Sequence, residues 1–229
     1  MMNEILKAES LNAFYGRSQI TFDIDLVVNP GQVAVLVGRN GVGKTTTLKS
    51  IMGYVEKKNS RVFFQDQDIT RTAPYRIAKS GLTFVPDNGG VFHNLTVDDN
   101  LKVSARTGPF SRDYVYELFP KIKNILRRKG AHLSGGERRM VGMAKALLMN
   151  PDMLILDEPS EGLAPSLVKD IAEAINKLEE KIALLVADQN LGFVLSIADH
   201  IYIMDAGRVK LSGSKDEIKR KDIEKFIAL

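Results

Sequence analysis

Five apolar residues, Val33-Ala34-Val35-Leu36-Val37, run without interruption into Gly38-Arg39-Asn40-Gly41-Val42-Gly43-Lys44-Thr45, and this junction constrains the fold more than any other feature. A run that is apolar on both pleats has to be buried on both faces, the condition of an inner strand in a parallel sheet. The octet that follows has the spacing of a phosphate loop, in which glycines let successive N–H groups turn inward toward phosphate oxygens. Leu48, Ile51 and Met52 then recur at helical spacing, so a helix follows the loop and adds its positive dipole end. Strand, loop and helix in that order predict a nucleotide site. Lys44 reaches the β- and γ-phosphates there and the Thr45 hydroxyl meets Mg²⁺. Gly38, Arg39, Asn40, Gly41, Val42, Gly43 and Thr46 complete the predicted cradle.

Similar punctuation recurs along the chain. Alternation over Ile20 to Leu26 predicts a half-buried strand, and Asn29-Pro30-Gly31 a turn. Arg61 to Phe64 and Leu82 to Val85 read as short strands. Met153 to Leu156, Ile182 to Ala187 and His200 to Met204 are apolar strand-length runs, the last turning at Ala206-Gly207. A helix is expected from Leu167 to Glu180. The stretch from Thr96 to Lys129 reads as mostly helical and polar, broken at Gly108-Pro109. Strands alternating with helices predict a mostly parallel sheet covered on both faces. No repeat or linker divides the chain, so one domain over residues 1–229 is expected.

Composition removes several function classes. No apolar stretch approaches the ~20 residues of a membrane-spanning helix. The segment Met1 to Ser10 carries Glu4, Lys7 and Glu9, so no signal peptide is expected. The absence of cysteine excludes disulfides and thiolate metal sites. A net charge of +4 is mildly basic, and its longest cationic cluster, Lys121 to Lys129, reads as a solvated helix face. Such a balance is compatible with nucleic acid or with an anionic membrane surface.

Two further strings carry chemistry. Asp157-Glu158 ends an apolar strand, where ligands of open α/β sheets gather, and the Asp157 carboxylate suits a Mg²⁺ ligand that acts from outside the inner sphere or through a water. Leu133-Ser134-Gly135-Gly136-Glu137 has the serine-to-glutamate spacing of a capping box, which opens a helix. With the phosphate loop, this LSGGE string makes the chain resemble the ATP-binding cassette (ABC) ATPases over residues of roughly 5 to 225. That resemblance implies a phosphate-loop NTPase (RecA-like) α/β core, an antiparallel β subdomain and an α-helical subdomain near residues 91–135. It also implies that Glu158 polarises the attacking water, that Tyr15 stacks on adenine, and that Ser134, Gly135 and Gly136 complete the ATP site of a second subunit.

Departures from the general pattern narrow the resemblance. Asp87 stands where most members have a glutamine that touches the metal, giving Thr45, Asp87 and Asp157 as the expected metal set. Ala164 stands in Ser160-Glu161-Gly162-Leu163-Ala164-Pro165 where aspartate is usual, and Gln189 where the switch histidine normally lies. Gln189 still offers a neutral donor to a γ-phosphate oxygen, so Glu158, Gln189 and Lys44 form the expected catalytic set. Together with Val91 to Leu101 and Asp188-Gln189-Asn190, these marks are similar to the ATP-binding subunit of branched-chain amino acid importers, the LivF type, whose close relatives serve urea or short amides.

The resemblance implies ATP and Mg²⁺, a homodimer or a heterodimer with a sister ATPase subunit, and two membrane permease subunits. An extracytoplasmic substrate-binding protein and a place on the cytoplasmic face of the cell membrane follow from it too. Asp87 and residues 91–95 are expected at the surface that receives a permease helix. The competing class is a soluble ABC ATPase acting on nucleic acid or ribosomes. It is disfavoured by the single phosphate loop and by the lack of a long coiled-coil insertion. A nucleotide-binding module without turnover would lack Lys44 or Glu158, and both are present.

Overall fold

The computed structural model describes residues 4–179 and 181–227, so the expected helix end at Glu180 and the first three residues of the amino-terminal segment lie outside the described residues. The chain opens with strands β1 (Leu6–Leu11), β2 (Ala13–Tyr15), β3 (Ser18–Gln19), β4 (Ile24–Val28) and β5 (Val33–Val37), then helix α1 (Lys44–Ile51). Next come β6 (Glu56–Lys57), β7 (Arg61–Phe64), β8 (Gln67–Asp68), α2 (Pro74–Lys79) and β9 (Leu82–Val85). The middle is helical: α3 (Val97–Ser104), α4 (Arg112–Leu118), two 3-10 turns (Pro120–Ile125 and Gly130–His132) and α5 (Gly135–Leu148). The last part alternates again, with β10 (Met153–Asp157), α6 (Pro165–Glu179), β11 (Ala183–Asp188) and α7 (Leu191–Ile197). It closes on β12 (His200–Asp205), β13 (Arg208–Ser214) and α8 (Arg220–Ile227).

The largest sheet has the order β13-β12-β5-β11-β10-β9. Its strands are parallel apart from β13, which returns antiparallel through Ala206-Gly207. The side chains explain why these runs carry no polar interruption. Val33, Val35 and Val37 join a core with Met140, Val141, Ile171, Ile175 and Phe193 of α5, α6 and α7. Ala34 and Leu36 join a second core with Leu48 and Ile51 of α1 and with the antiparallel strands. Leu154, Leu156, Leu184 and Val186 follow the first pattern, and Met153, Ile155, Ala183 and Leu185 the second. Both faces are therefore dry, as the sequence requires.

The antiparallel sheet β4-β1-β7-β8 covers α1 from the other side, and a small sheet, β3-β2-β6, extends from it. The strand expected over Ile20 to Leu26 starts only at Ile24. Asp23 takes a positive φ of 49°, and the buried Thr21 hydroxyl accepts from Ala13 N at 2.8 Å and donates to Leu11 O at 3.1 Å. Those side-chain bonds replace a ladder and steer the chain between the two sheets.

The stretch from Thr96 to Lys129 is mostly helical, as expected, and its break over residues 105–111 holds Gly108-Pro109. Pro120 has no backbone N–H and opens a 3-10 turn rather than prolonging α4. The cationic cluster Lys121 to Lys129 is solvated as expected, with Lys121 and Lys123 on this 3-10 helix and Arg127 to Lys129 beyond its end. It surrounds this turn while Ile122 and Ile125 point into the core, and Arg128 pairs with Glu137 at 2.6 Å. Thr96, Ser111 and Ser134 each accept from a backbone N–H three residues on, capping α3, α4 and α5. The helical layer continues past residue 135, because α5 runs to Leu148 within the core that also holds Val97 and Leu101 of α3.

Candidate active site

The loop between β5 and α1 curls around one ammonium. Gly41 and Gly43 hold φ of 82° and 107°, which glycine takes without strain, and a Cβ on Gly38 would lie 2.5 Å from Met204 O. Lys44, 3% exposed, sends Nζ back to Gly38 O and Arg39 O, both at 3.0 Å, and to Asn40 Oδ1 at 3.5 Å. Glu158 Oε1 lies 3.1 Å from the same Nζ. The ammonium sits among oxygens on several sides, an arrangement into which phosphate oxygens can substitute.

Two carboxylates close the site at the end of β10. Asp157 is 2% exposed; its Oδ1 accepts from Thr45 Oγ1 at 2.9 Å, and its Oδ2 is buried with no hydrogen-bond partner. Burial pushes its carboxyl up to about 6, against the Thr45 hydrogen bond, with the charges of Glu158 and Asp87 adding to the rise. A buried carboxylate with one free oxygen beside a threonine hydroxyl fits a hard cation that takes oxygen ligands, which is the chemistry of Mg²⁺. Asp87 is not joined to that pair: it sits in an exposed turn after β9, with Oδ1 accepting from Asn88 N at 2.9 Å. It reaches Asp157 as charge through space.

Glu158 follows with φ 47°, a left-handed conformation that costs a non-glycine residue about 1–3 kcal/mol. Its N–H donates to Ala187 O at 2.8 Å, which fixes that backbone against β11. Burial raises its pKa, and the Glu161 carboxyl beside it adds to the rise while Lys44 opposes it.

Asp188 stands in the sequence only as part of Asp188-Gln189-Asn190, with no role of its own. It closes β11 fully buried, accepting from Ser160 N at 3.0 Å, Ser160 Oγ at 2.8 Å and Asn190 N at 2.8 Å. One carboxylate thus ties the segment after Glu158 to the segment carrying Gln189. The available signal was a charged residue ending an all-apolar strand, the same signal that marks Asp157. Glu161 was missed too, and its Oε1 accepts from Asn40 Nδ2 at 3.5 Å. Gln189 is half-buried between Asp188 and Asn190, whose side chain caps α7.

The remaining predicted residues lie apart. Tyr15 is 52% exposed on β2 and offers an open ring face. Ser134 and Glu137 form the predicted capping box, with Ser134 N donating to Glu137 Oε2 at 2.8 Å. Ser134 and Gly135 are exposed, and a Cβ on Gly135 would meet nothing within 4 Å.

A phosphate loop and an Asp-Glu pair at the carboxyl ends of a doubly wound parallel sheet define a phosphate-loop ATPase. Residues 21–161 match the family model for ABC transporters, and the chain belongs to the ATP-binding cassette family. It is 36% identical over 93% of its length to a probable branched-chain amino acid transport ATP-binding protein, LivF, of Archaeoglobus fulgidus, covering 94% of that protein. It is also 36% identical to a lipopolysaccharide export system ATP-binding protein, LptB, of Acidithiobacillus ferridurans, over 95% of this chain and 93% of that one. A nucleotide-free ATP-binding cassette from an ABC transporter superposes with a TM-score of 0.83 at 27% identity, covering 99% of this chain and 96% of that one. The chain is thus an ABC ATPase, the ATP-binding subunit of a transporter. Among the described residues no helix is long and apolar enough to cross a membrane.

Proposed function

We propose that this chain is the motor subunit of an importer for branched-chain amino acids. It works at the cytoplasmic face of the membrane, paired with a second copy or a sister ATPase, on two permease subunits fed by an extracytoplasmic binding protein. The observation that supports the import reading is the 36%-identical LivF relative, alongside Val91 to Leu101, Glu161 to Pro165 and Asp188-Gln189-Asn190; Asp87 is acidic like the glutamate expected there but departs from it. The equally similar LptB relative favours a second reading, an ATPase that drives export of a lipid-linked glycan. Reconstitution with its permease subunits separates them: ATP-dependent uptake of labelled leucine into vesicles is expected, and vesicles that never accumulate it would sink the import reading.

The mechanism follows from the ion pair. Phosphates entering the loop take the Lys44 ammonium, and Glu158 is released to accept a hydrogen bond from the attacking water. Tyr15 stacks on adenine, and the Thr45 hydroxyl and Asp157 carboxylate would hold Mg²⁺. When bound, that ion supplies charge neutralisation across the β- and γ-phosphates. As the water oxygen bonds to the γ-phosphorus, the bond to the β-phosphate oxygen breaks and Glu158 takes the water's proton. Its raised pKa brings it nearer the neutral range, where a base is most effective. Ser134 and Gly135 are exposed at the N-terminus of α5, and a facing subunit's γ-phosphate is the natural partner for the N–H groups there.

Gln189 donates a neutral hydrogen bond to the γ-phosphate. Gln189→Ala is expected to lower turnover about tenfold, less than a fully pre-organised donor would give, and to leave ADP affinity unchanged because ADP lacks that contact. Steady-state hydrolysis and ADP titration check this together, and an alanine variant as fast as wild type reduces Gln189 to a loop residue. Gln189→His is expected to be tolerated.

The permease helix docks in a groove of about 560 Å³ between β9, α3 and α5, where Phe92 and Val103 are 53% and 62% exposed. Val91, expected at that surface, is instead 8% exposed, its side chain against Gly130, so the apolar docking residue is Phe92 alone of the pair. Phe92→Asp is expected to leave hydrolysis by the isolated chain intact and to abolish co-purification with the permeases. Normal co-purification would remove the groove from the interface.

A further inference from the structure

The chain carries no carboxylate between Asp68 and Asp87, while Arg71, Arg76 and Lys79 fall within that span. The fold gathers these cations on one surface. On α2, Ile77 is fully buried, and Tyr75, Arg76 and Lys79 stand on the opposite, exposed side of the helix. The Tyr75 ring is 59% exposed, with the Arg76 guanidinium 5.8 Å and the Lys79 ammonium 5.9 Å from its centre. Arg71 leads into α2 and, with Arg76 and Arg61, lines a hollow of about 710 Å³. Arg61 is held there by Glu9 at 2.8 Å, and Asp68, the one carboxylate of the lining, accepts from Thr70 N at 2.8 Å.

This surface continues from the groove lined by Phe84, Phe92 and Val103. Tyr54, 58% exposed, has its ring centre 6.2 Å from that of Phe84. The neighbouring Gly53 packs against the approach to α2, where a Cβ would sit 3.0 Å from Thr72 O and 3.6 Å from Pro74 Cδ. Cations and two exposed tyrosines therefore form a strip beside the groove. A tyrosine ring is apolar in its body and polar at its tip, which suits the level of lipid headgroups. Lysine and arginine beside it are drawn to an anionic leaflet, and a guanidinium fork matches phosphate oxygens in pairs. Single-stranded nucleic acid would use similar groups. A groove turned toward the permeases, however, puts this strip beneath lipid.

We propose that Arg71, Arg76 and Lys79, flanked by Tyr54 and Tyr75, form a contact surface for the phosphate headgroups of an anionic lipid leaflet. This rests on the reading of the chain as a motor beneath membrane permeases, because only such a chain meets the leaflet at this face. The surface gives the ATPase a second hold on the membrane, one that needs no permease. Two weak holds on one chain reinforce each other, since lipid contact keeps the groove close to the helix it receives. The mildly basic balance of the chain thereby has a place where it acts, apart from the solvated cluster at Lys121 to Lys129.

Co-sedimentation of the full chain with vesicles of phosphatidylglycerol mixed into phosphatidylcholine, set against phosphatidylcholine alone, tests this without any permease. Wild type is expected to bind only the anionic vesicles and to be released by high salt, which screens the attraction. Each cation near an anionic leaflet is worth about fivefold in partitioning, so Arg71→Gln with Arg76→Gln should weaken binding about 25-fold. Arg127→Gln with Lys129→Gln removes the same charge from the other cationic cluster and should leave binding unchanged. ATP hydrolysis at the wild-type rate shows that both variants fold. If Arg71→Gln with Arg76→Gln does not fold, Lys79→Gln alone decides instead, with an expected loss of about fivefold. Equal binding to both vesicle types, no binding to the anionic ones, or wild-type binding by the substituted chain overturns the proposal. An equal loss in the Arg127 and Lys129 pair does so too. So does a single-stranded oligothymidine that binds more tightly than the vesicles and is lost with the same substitutions, which would make the strip a nucleic-acid site. A chain that ignores anionic vesicles while its complex still imports leucine overturns the lipid contact alone. Failed uptake counts against the importer reading, which is measured separately.

Discussion

Glu158→Gln is expected to lower ATP turnover by about 10²–10⁴-fold, the range typical of losing a positioned general base, while ATP still binds. The carboxamide keeps the shape and the left-handed backbone at φ 47° but cannot take a proton from water. It also ends the 3.1 Å ion pair that holds Lys44 before phosphate arrives, so ATP no longer competes with Glu158 for the ammonium and should bind at least as tightly as in wild type. Bound but unhydrolysed ATP then accumulates between two subunits. Size-exclusion chromatography with ATP and Mg²⁺ should show doubled mass for the variant, alongside steady-state hydrolysis near background. Turnover at the wild-type rate would remove Glu158 from the chemistry. Lys44→Ala behaves differently: it removes the point charge on the phosphates, so the loss appears in nucleotide affinity.

How much of this was legible in the sequence depends on how local each determinant is. The phosphate loop, the buried strands and the serine cap of α5 are set by neighbours within a few positions, and each stands where pattern placed it. The irregular crossing at residues 20–23 was not legible, because the Thr21 hydroxyl that replaces the ladder meets Leu11 and Ala13 from an earlier strand. Pro120 was a visible breaker, and the cations after it do lie on a solvated face, but the 3-10 form of that turn was not legible from their pattern. In the site, Asp157 was readable as a charge ending an apolar run. Asp188 gives the same signal at the end of β11, but its meaning lies in bonds to Ser160 and Asn190 that no spacing rule predicts. Lys145 was less visible still. On one helix it is simply another cation, and its partners, Gly90 O and the Phe92 ring, come from another segment.

Asp157→Asn is expected to move activity and stability in opposite directions. Activity should fall by at least about 10²-fold, because the amide gives a hard cation a neutral oxygen in place of a carboxylate and loosens its hold beside Thr45. Stability of the nucleotide-free chain at pH 7 should rise. Burial pushes the folded-state carboxyl of Asp157 up to about 6, from an ordinary value of 3.8. The folded chain therefore holds this proton more tightly than the unfolded chain does. Between about pH 4 and pH 6 the unfolded state gives up the proton first, stability falls as pH rises, and above pH 6 the whole penalty is present. At about 1.4 kcal/mol per unit, discounted for relaxation around the site, that penalty is about 1–3 kcal/mol. An asparagine carries no charge to bury, and its amide replaces an Oδ2 that already lacks a hydrogen-bond partner. For a chain of this size the relief corresponds to a rise of about 3–8 °C in melting temperature. Thermal melts at pH 4, 5.5 and 7 should show the two proteins closest at pH 4 and furthest apart at pH 7. Adding ATP and Mg²⁺ should reverse the order at pH 7, because wild type gains more from a ligand it binds more tightly. A variant no more stable than wild type at pH 7 would mean that the buried carboxylate is not a strained acid kept in place for its metal.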